Sequence, residues 1–380
     1  MIHLDHAATT GYRPPEVAEA MLRALQSAPA NPGRGGHILA LSAARLLEGA
    51  RLDLADFLGV TRPAHLAFTK NATEAINIVL YGFLEAGDTV LASPFEHNAV
   101  MRPLRDLERR RGLRIEAIPY APEAGIDLAA LRRRLAAGGV RLLALTMASN
   151  VSGEIFATAE VAALCREHGV FCLIDGAQGA GVVPLDVDKE GYDALAVTGH
   201  KALLGPPGTG ALYLREPERV RPLVRGGTGS RSDSEEQPDF PPDCFEAGTQ
   251  NVPAVAGLGE AVAHLGRVGL ESIRAHHQEL TGLLRQRLGL IPGVTLHGPA
   301  DPARRVGVLS FTVAGQETHM VARELDRRGI LCRAGLHCAV RAHHALGTFP
   351  GGTVRFSVSW SNTAEEMEQA ADAVREIATS

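Results

Sequence analysis

Apolar positions along this chain switch repeatedly between a helical spacing and short unbroken runs. Pro15 to Gln26 and Ser42 to Leu58 show the three- and four-residue intervals of amphipathic helices. Ser42 is expected as an N-cap and Gly59 as a stop. His65 to Thr69 reads as a short strand, and Asn71 to Glu74 opens a helix running to about Leu84. Strands are expected at 89–93, 114–118, 141–146, 170–175, 193–198 and 210–214, with helices at 98–111, 127–137 and 157–168. Strands alternating with helices predict an α/β fold built on a mainly parallel, two-sided sheet. Right-handed crossovers bring the strand ends to one side, where such folds bind ligands. The polar, proline-rich stretch 226–249 breaks the pattern and reads as a long loop, functional or disordered. Helices near 252–265 and on to about 289 follow, then strands near 306–313, 330–333 and 353–358 and a terminal helix at 363–378. The domain change is expected near 255–265.

A length of 380 residues suits a large core and two domains. Net charge of −5 argues against a nucleic-acid or membrane-surface role, and 4% aromatic residues are too few for base stacking. Met1 to His6 lacks the basic and apolar runs of a secretory signal, and no apolar run approaches a membrane span. Five scattered cysteines suit a reduced, cytoplasmic protein, and no cysteine or histidine spacing matches a structural zinc site.

Candidate chemistry starts from lysine. Only three lysines (70, 189 and 201) stand against 35 arginines. Arginine replaces lysine as a surface charge but cannot form a Schiff base. Lys201 follows the apolar run 193–198 and enters a Gly/Pro-rich loop, a position where function concentrates. Asp175 ends another buried strand 26 residues earlier. It reads either as a helix cap or as the acid that keeps a pyridinium nitrogen protonated. Two adjacent strand ends then deliver an acid and an amine to one crevice, a sensible arrangement for pyridoxal phosphate. The glycines of 176–181 have the wrong spacing for a dinucleotide fingerprint, and no P-loop is present.

Asp175 to Gln178 followed by Thr198 to Lys201 resembles the class V aminotransferase fold, in particular its cysteine desulfurases and selenocysteine lyases. The resemblance continues through Leu4 to Thr10, Arg34 to His37, Phe68 to Asn77, Glu96 to Asn98, Ser149 to Gly153, Phe245 to Thr249, Arg333 to Cys338 and Val354 to Ser359. These motifs run in family order over nearly the whole chain. The resemblance implies an aspartate-aminotransferase-like large domain (12–258) with a mainly parallel seven-stranded sheet. A smaller α/β domain would comprise 1–11 and 259–380. It also implies that Lys201 binds pyridoxal phosphate covalently and moves the substrate Cα proton. Asp175 meets the ring nitrogen, Gln178 the phenolic oxygen, and His97 stacks on the ring and shuttles protons. Ala72, Thr73, Thr198 and His200 bind the phosphate, joined by Thr249 from the second subunit of a homodimer. Asn150, Arg333 and Arg355 form the substrate side, where an Arg–carboxylate clamp suits an α-amino acid.

Cys338 discriminates within the family. An aminotransferase needs no cysteine there, whereas a desulfurase uses the thiolate to take sulfur from L-cysteine as a persulfide, leaving L-alanine. Arg333 and His337 are near enough in sequence to favour a thiolate. Cys165 and Cys172 read as inert core residues. Cys338 precedes Arg355 by only 17 positions, a short loop similar to that of the second group of desulfurases. That group shelters its thiol and uses a sulfur-acceptor protein, in sulfur metabolism and iron–sulfur cluster assembly. Leu336 and Ala72 depart from the family's usual histidine and hydroxyl residue, and the 228–244 loop is long and charged. The alternatives are a selenocysteine lyase, another C–S or C–Se lyase, and a non-catalytic relative that binds a partner through that loop.

Overall fold

The computed structural model describes residues 1–33, 35–121 and 125–379; Arg34, part of one matched motif, lies outside them. The main sheet has seven strands: β1 (Leu66–Thr69), β2 (Thr89–Ala92), β3 (Arg114–Ala117), β4 (Val140–Thr146), β5 (Phe171–Asp175), β6 (Ala194–Thr198) and β7 (Gly210–Leu214). Their order is β1-β7-β6-β5-β4-β2-β3. All pairings are parallel except those of β7, which runs antiparallel to both neighbours. The expected two-sided parallel sheet is borne out. Successive residues of β4 feed opposite cores: Leu143 and Leu145 pack with Leu54 and Ile174, while Leu142 and Ala144 pack with Ile76, Val79 and Leu104. That alternation is the pleat itself, and helices on both faces explain why the strands read as unbroken apolar runs.

Several helices begin where side chains satisfy first-turn amides. Asn71 Oδ1 accepts from Glu74 N at the start of Ala72–Phe83, and Asp127 Oδ1 from Ala130 N at the start of Leu128–Ala136. His97 Nδ1 accepts from Ala99 N at the start of Asn98–Arg111. One helix differs from expectation. It spans Ile38–Leu58 with His37 as its cap, so Ser42 lies inside, its hydroxyl donating to Ile38 O. Gly59, with φ of 68°, ends it as expected.

A second sheet of four antiparallel strands carries the C-terminal section: β8 (Val294–His297), β9 (Val308–Val313), β10 (Arg333–Gly335) and β11 (Thr353–Ser357), in the order β8-β9-β11-β10. Its core joins Leu280, Leu284, Phe311, Phe356 and Val374. The expected strand at 330–333 is divided, because Ile330–Leu331 pairs in parallel with Ile2–His3 while Arg333–Gly335 pairs with β11. The N-terminus is thereby stitched to the second sheet, and Ser357 N donates to Leu4 O. Strand β8 and the helices Thr318–Arg327 and Val340–Ala345 were not anticipated; each is short and half polar. The 226–249 stretch is largely irregular and returns to the main sheet through Glu246. That carboxylate bonds both terminal nitrogens of buried Arg51 and accepts from Phe68 N on β1. Among the described residues, no helix is long and apolar enough to cross a membrane.

Candidate active site

The parallel strands end together. Thr146 at the end of β4 is in register with Asp175 at the end of β5, and β6 continues two residues beyond its last partner to Thr198. Gly199 then passes so close to Thr209 that an added Cβ would lie 2.1 Å from its hydroxyl, so only glycine lets the chain turn there. The turn presents His200 and Lys201 to an open cleft of about 820 Å³. Ala72, Thr73, His97, Asn150, Asp175, Gln178, Thr198, His200, Lys201, Arg333 and Arg355 all line it. The structure therefore gathers in one place nearly every residue that the sequence singled out.

Two do not line that cleft. Cys338 occupies an adjoining groove with Asn77, Tyr81 and Arg102, and the two spaces share Thr73, His97 and Ala99. The thiol thus sits at the rim. Thr249 is exposed in a separate groove beside Lys70, Glu74 and Asn251 and accepts from Asn31 Nδ2 at 3.3 Å. Lys70 and Lys189 are solvent-facing partners of Glu74 and Asp186, so among the lysines only Lys201 belongs to the site.

Electrostatics divide the cleft into roles. Burial lowers the Lys201 amine to about 8; Arg355 and Arg333 add to the effect and Asp175 opposes it. The amine can therefore shed its proton near neutral pH. Burial raises the Asp175 carboxyl, while a hydrogen bond from Ala177 N and the charge of Lys201 resist. A cation at the strand end would hold that carboxyl ionised. His97 is lowered to about 4, first by burial and then by Lys201 and Arg333, so the ring is neutral. Because its Nδ1 accepts from Ala99 N, the proton resides on Nε2. Gln178 is steadied by donating from Nε2 to Ala7 O at 2.9 Å.

The opposite end of the cleft suits an anion. Ala72 and Thr73 contribute first-turn amides of a helix whose cap serves Glu74, leaving those two amides without partners among the described residues. The Thr198 hydroxyl is buried and also lacks a partner among them. A buried hydroxyl with nothing to bond is costly unless a ligand completes it.

On the substrate side, Arg355 is 1% exposed and lies between Asp5 and Asn150. Nη2 meets Asp5 Oδ1 at 2.7 Å and Nη1 donates to Asn150 O at 3.1 Å, while Nε has no partner among the described residues. Arg333 Nη2 lies 3.5 Å from Cys338 Sγ. The expectation that His337 also charges the thiol's surroundings is corrected. Burial, reinforced by Arg355, lowers its pKa to about 2, and its Nε2 is turned to Thr353, so it is neutral. Cys165 and Cys172 are buried, in keeping with a core role.

Two residues of the matched motifs gain parts that sequence reasoning had not given them. Asp5 is the ion-pair partner of Arg355. Glu96, buried, accepts from Ser93 Oγ and Thr146 N, holding the loop that carries His97 against the end of β4. A lone acid beside apolar Phe95 was the available signal for Glu96. For Asp5, 350 positions from Arg355, there was none.

Comparison with known proteins agrees with this geometry. Residues 2–370 match the model of the family described as aminotransferase class-V. A probable cysteine desulfurase of Methanothermobacter thermautotrophicus is 35% identical, covering 99% of this chain and 94% of the relative. One of Pyrococcus abyssi is 32% identical, covering 100% and 95%. The apo structure of a cysteine desulfurase from Thermococcus onnurineus superposes with a TM-score of 0.93 at 32% identity, covering 100% of this chain and 94% of the other. The S-sulfonic acid form of the cysteine desulfurase CsdA from Escherichia coli gives 0.88 at 29% identity, covering 98% and 94%. With its sheet order, its lysine-bearing turn and this full-length match, the chain belongs to the class-V aminotransferase family.

Proposed function

We propose that this chain is a pyridoxal-phosphate-dependent cysteine desulfurase that converts L-cysteine to L-alanine and holds the sulfur as a persulfide on Cys338. The observation that carries the reading is Cys338 at the rim of the Lys201 cleft, with Arg333 Nη2 3.5 Å from its sulfur. The relatives named as cysteine desulfurases support it. The class-V family is pyridoxal-phosphate dependent, and the cleft suits that cofactor: the amides of Ala72 and Thr73 with the Thr198 hydroxyl for its phosphate, Asp175 for its ring nitrogen, Lys201 for its aldehyde. When bound, the cofactor supplies an electron sink for the pair left by the substrate Cα–H bond.

The chain's own residues do the rest. Arg355 and Asn150 seat the substrate carboxylate, Arg355 through its unpartnered Nε. Lys201, its proton readily lost, accepts the Cα proton and returns one to Cβ. Neutral His97 lies between cleft and rim and presents Nε2–H there as a donor; it takes the thiol proton only on Nδ1, by releasing the Ala99 amide. Cys338, as the thiolate and with Arg333 Nη2 3.5 Å from its sulfur, attacks the substrate Sγ. The S–S bond forms as the Cβ–Sγ bond breaks, its electron pair passing to Cβ, which takes the proton held by Lys201; the proton released by the Cys338 thiol then restores Cα–H and completes alanine. Atoms and electrons balance with no external oxidant.

The reading extends to a homodimer. Thr249 faces away from its own chain's cleft, which suits a reach into a second subunit's phosphate site. It extends also to the division into a large domain, 12–258, and a small one, 1–11 with 259–380. A sulfur-acceptor protein docking at the Cys338 groove would draw off the persulfide, for iron–sulfur cluster assembly among other uses, in the cytoplasm. The test measures alanine and protein-bound persulfide from L-cysteine, with L-selenocysteine in parallel. Cys338→Ala is expected to lose at least a hundredfold of cysteine turnover. Full retention would refute the persulfide route, and retention confined to selenocysteine would make the chain a selenocysteine lyase.

A further inference from the structure

The turn that bears Cys338 holds a backbone conformation that side-chain-bearing residues adopt only under restraint. His337 and Cys338 have φ of 46° and 58°, both left-handed. Three restraints are visible. His337 Nε2 lies 3.0 Å from Thr353 Oγ1, within the C-terminal section. The other two come from elements beside the main sheet: Asn98 N, at the start of its helix, donates to Cys338 O at 2.7 Å, and Asn150 Nδ2, on the loop after β4, donates to His337 O at 2.7 Å. A carbonyl only accepts, so the Asn150 amide is oriented with its nitrogen toward the turn.

Asn150 is itself firmly held. Ser149 Oγ accepts from the amides of Val151 and Ser152, closing the loop around it, and Arg355 Nη1 donates to its carbonyl at 3.1 Å. The residue is 7% exposed and lines the cleft beside Arg355 and Lys201. Its Nδ2 has two hydrogens. One is committed to His337 O, and the second remains for a group in the cleft. A carboxylate seated on Arg355 would therefore meet the same nitrogen that restrains the thiol's turn.

We infer that Asn150 is a positioning residue that latches the Cys338 turn over the cleft, so that carboxylate recognition and thiol placement share one amide. The inference rests on Cys338 as the sulfur-accepting residue. It goes further by giving the asparagine a task that a carboxylate ligand alone would not have. A chain without Asn150 would lose a carboxylate contact and bind the amino acid less well, but thiol delivery would fall further than Cα proton transfer.

The test uses the holoenzyme and Asn150→Ala, with Asn150→Asp as a variant that keeps the size but cannot donate to His337 O. Hydrogen–deuterium exchange of the amides of 337–342 is followed without substrate. Exchange of the L-alanine Cα hydrogen in D2O is compared with single-turnover persulfide formation from L-cysteine. Expected are five- to tenfold faster amide exchange at the turn and a ratio of persulfide formation to Cα exchange about tenfold lower in both variants. Unchanged amide exchange overturns the latch. So does an equal slowing of Cα exchange and persulfide formation, which would make Asn150 a carboxylate ligand only. Should Asn150→Ala fail to fold, Asn150→Asp carries the same readouts. Failure of the desulfurase reading is separate: wild type would form no persulfide on Cys338, whatever the amide exchange shows.

Discussion

Lys201→Met in the apoprotein tests the electrostatic account of the cleft most directly. Burial, with Arg355 and Arg333, brings the lysine from its ordinary 10.5 down to about 8. Each pKa unit corresponds to about 1.4 kcal/mol, so a gap of this size is worth at most about 3.5 kcal/mol. The side chain keeps some surface on the open cleft, and solvent screening trims this to about 2–3 kcal/mol. The sign follows from proton counting. Between pH 8 and 10.5 the unfolded amine holds a proton that the folded one has lost, so stability rises with pH across this window. Methionine has no such proton. The stability of wild type minus that of Lys201→Met should therefore climb by about 2–3 kcal/mol from pH 7.5 to 10.5. Tyrosines and other cysteines titrate in both proteins and largely cancel in the difference. Guanidinium denaturation followed by far-UV circular dichroism, at fixed protein concentration, measures it. A difference flat to within about 0.5 kcal/mol, or one that falls with pH, would refute a desolvated Lys201.

Two further outcomes follow from buried carboxylates. Glu246→Ala strands the Arg51 guanidinium, whose side chain is 5% exposed, and should cost about 3–5 kcal/mol in chemical denaturation; a loss below about 1 kcal/mol would show that the pair does not anchor the 226–249 loop. Glu96 is raised by burial from 4.5 to about 8, so its folded form keeps a proton that the unfolded chain sheds, and that stability is lost as pH rises through the window. Glu96→Gln should therefore gain on wild type between pH 5 and 8, read as the difference of melting temperatures, and a constant difference would contradict a buried neutral acid.

Much of the site was legible because strand ends in a parallel sheet carry their function in short local strings. Asp175 and Lys201 each follow an apolar run that has to be a buried strand, and the scarcity of lysine marked one of the pair. The phosphate end was legible for the same reason, since a helix start after a strand is a local event. What escaped was non-local or conditional. The helix at Ile38–Leu58 begins earlier than its serine suggested, because His37 supplies the cap and a serine inside a helix can bond backward instead. The second sheet was misdivided at 330–335, where two adjacent short segments pair with partners far apart in the chain. His337 looked like a cation for the thiol on proximity alone, and its burial among arginines makes it neutral.

By itself the sequence determined the alternation of elements, the placement of Asp175 and Lys201 at the carboxyl edge of the sheet, and the family. These are matters of local pattern and of residue chemistry that no neighbour can substitute. Tertiary structure alone decided how those groups are tuned and held. It joined Asp5 to Arg355 across 350 positions, lowered Lys201 by enclosing it with two arginines, and tied the left-handed Cys338 turn to Asn150 and Asn98. The physical reason is that desolvation and hydrogen-bond geometry belong to the space between elements, and a linear string of residues contains no such space.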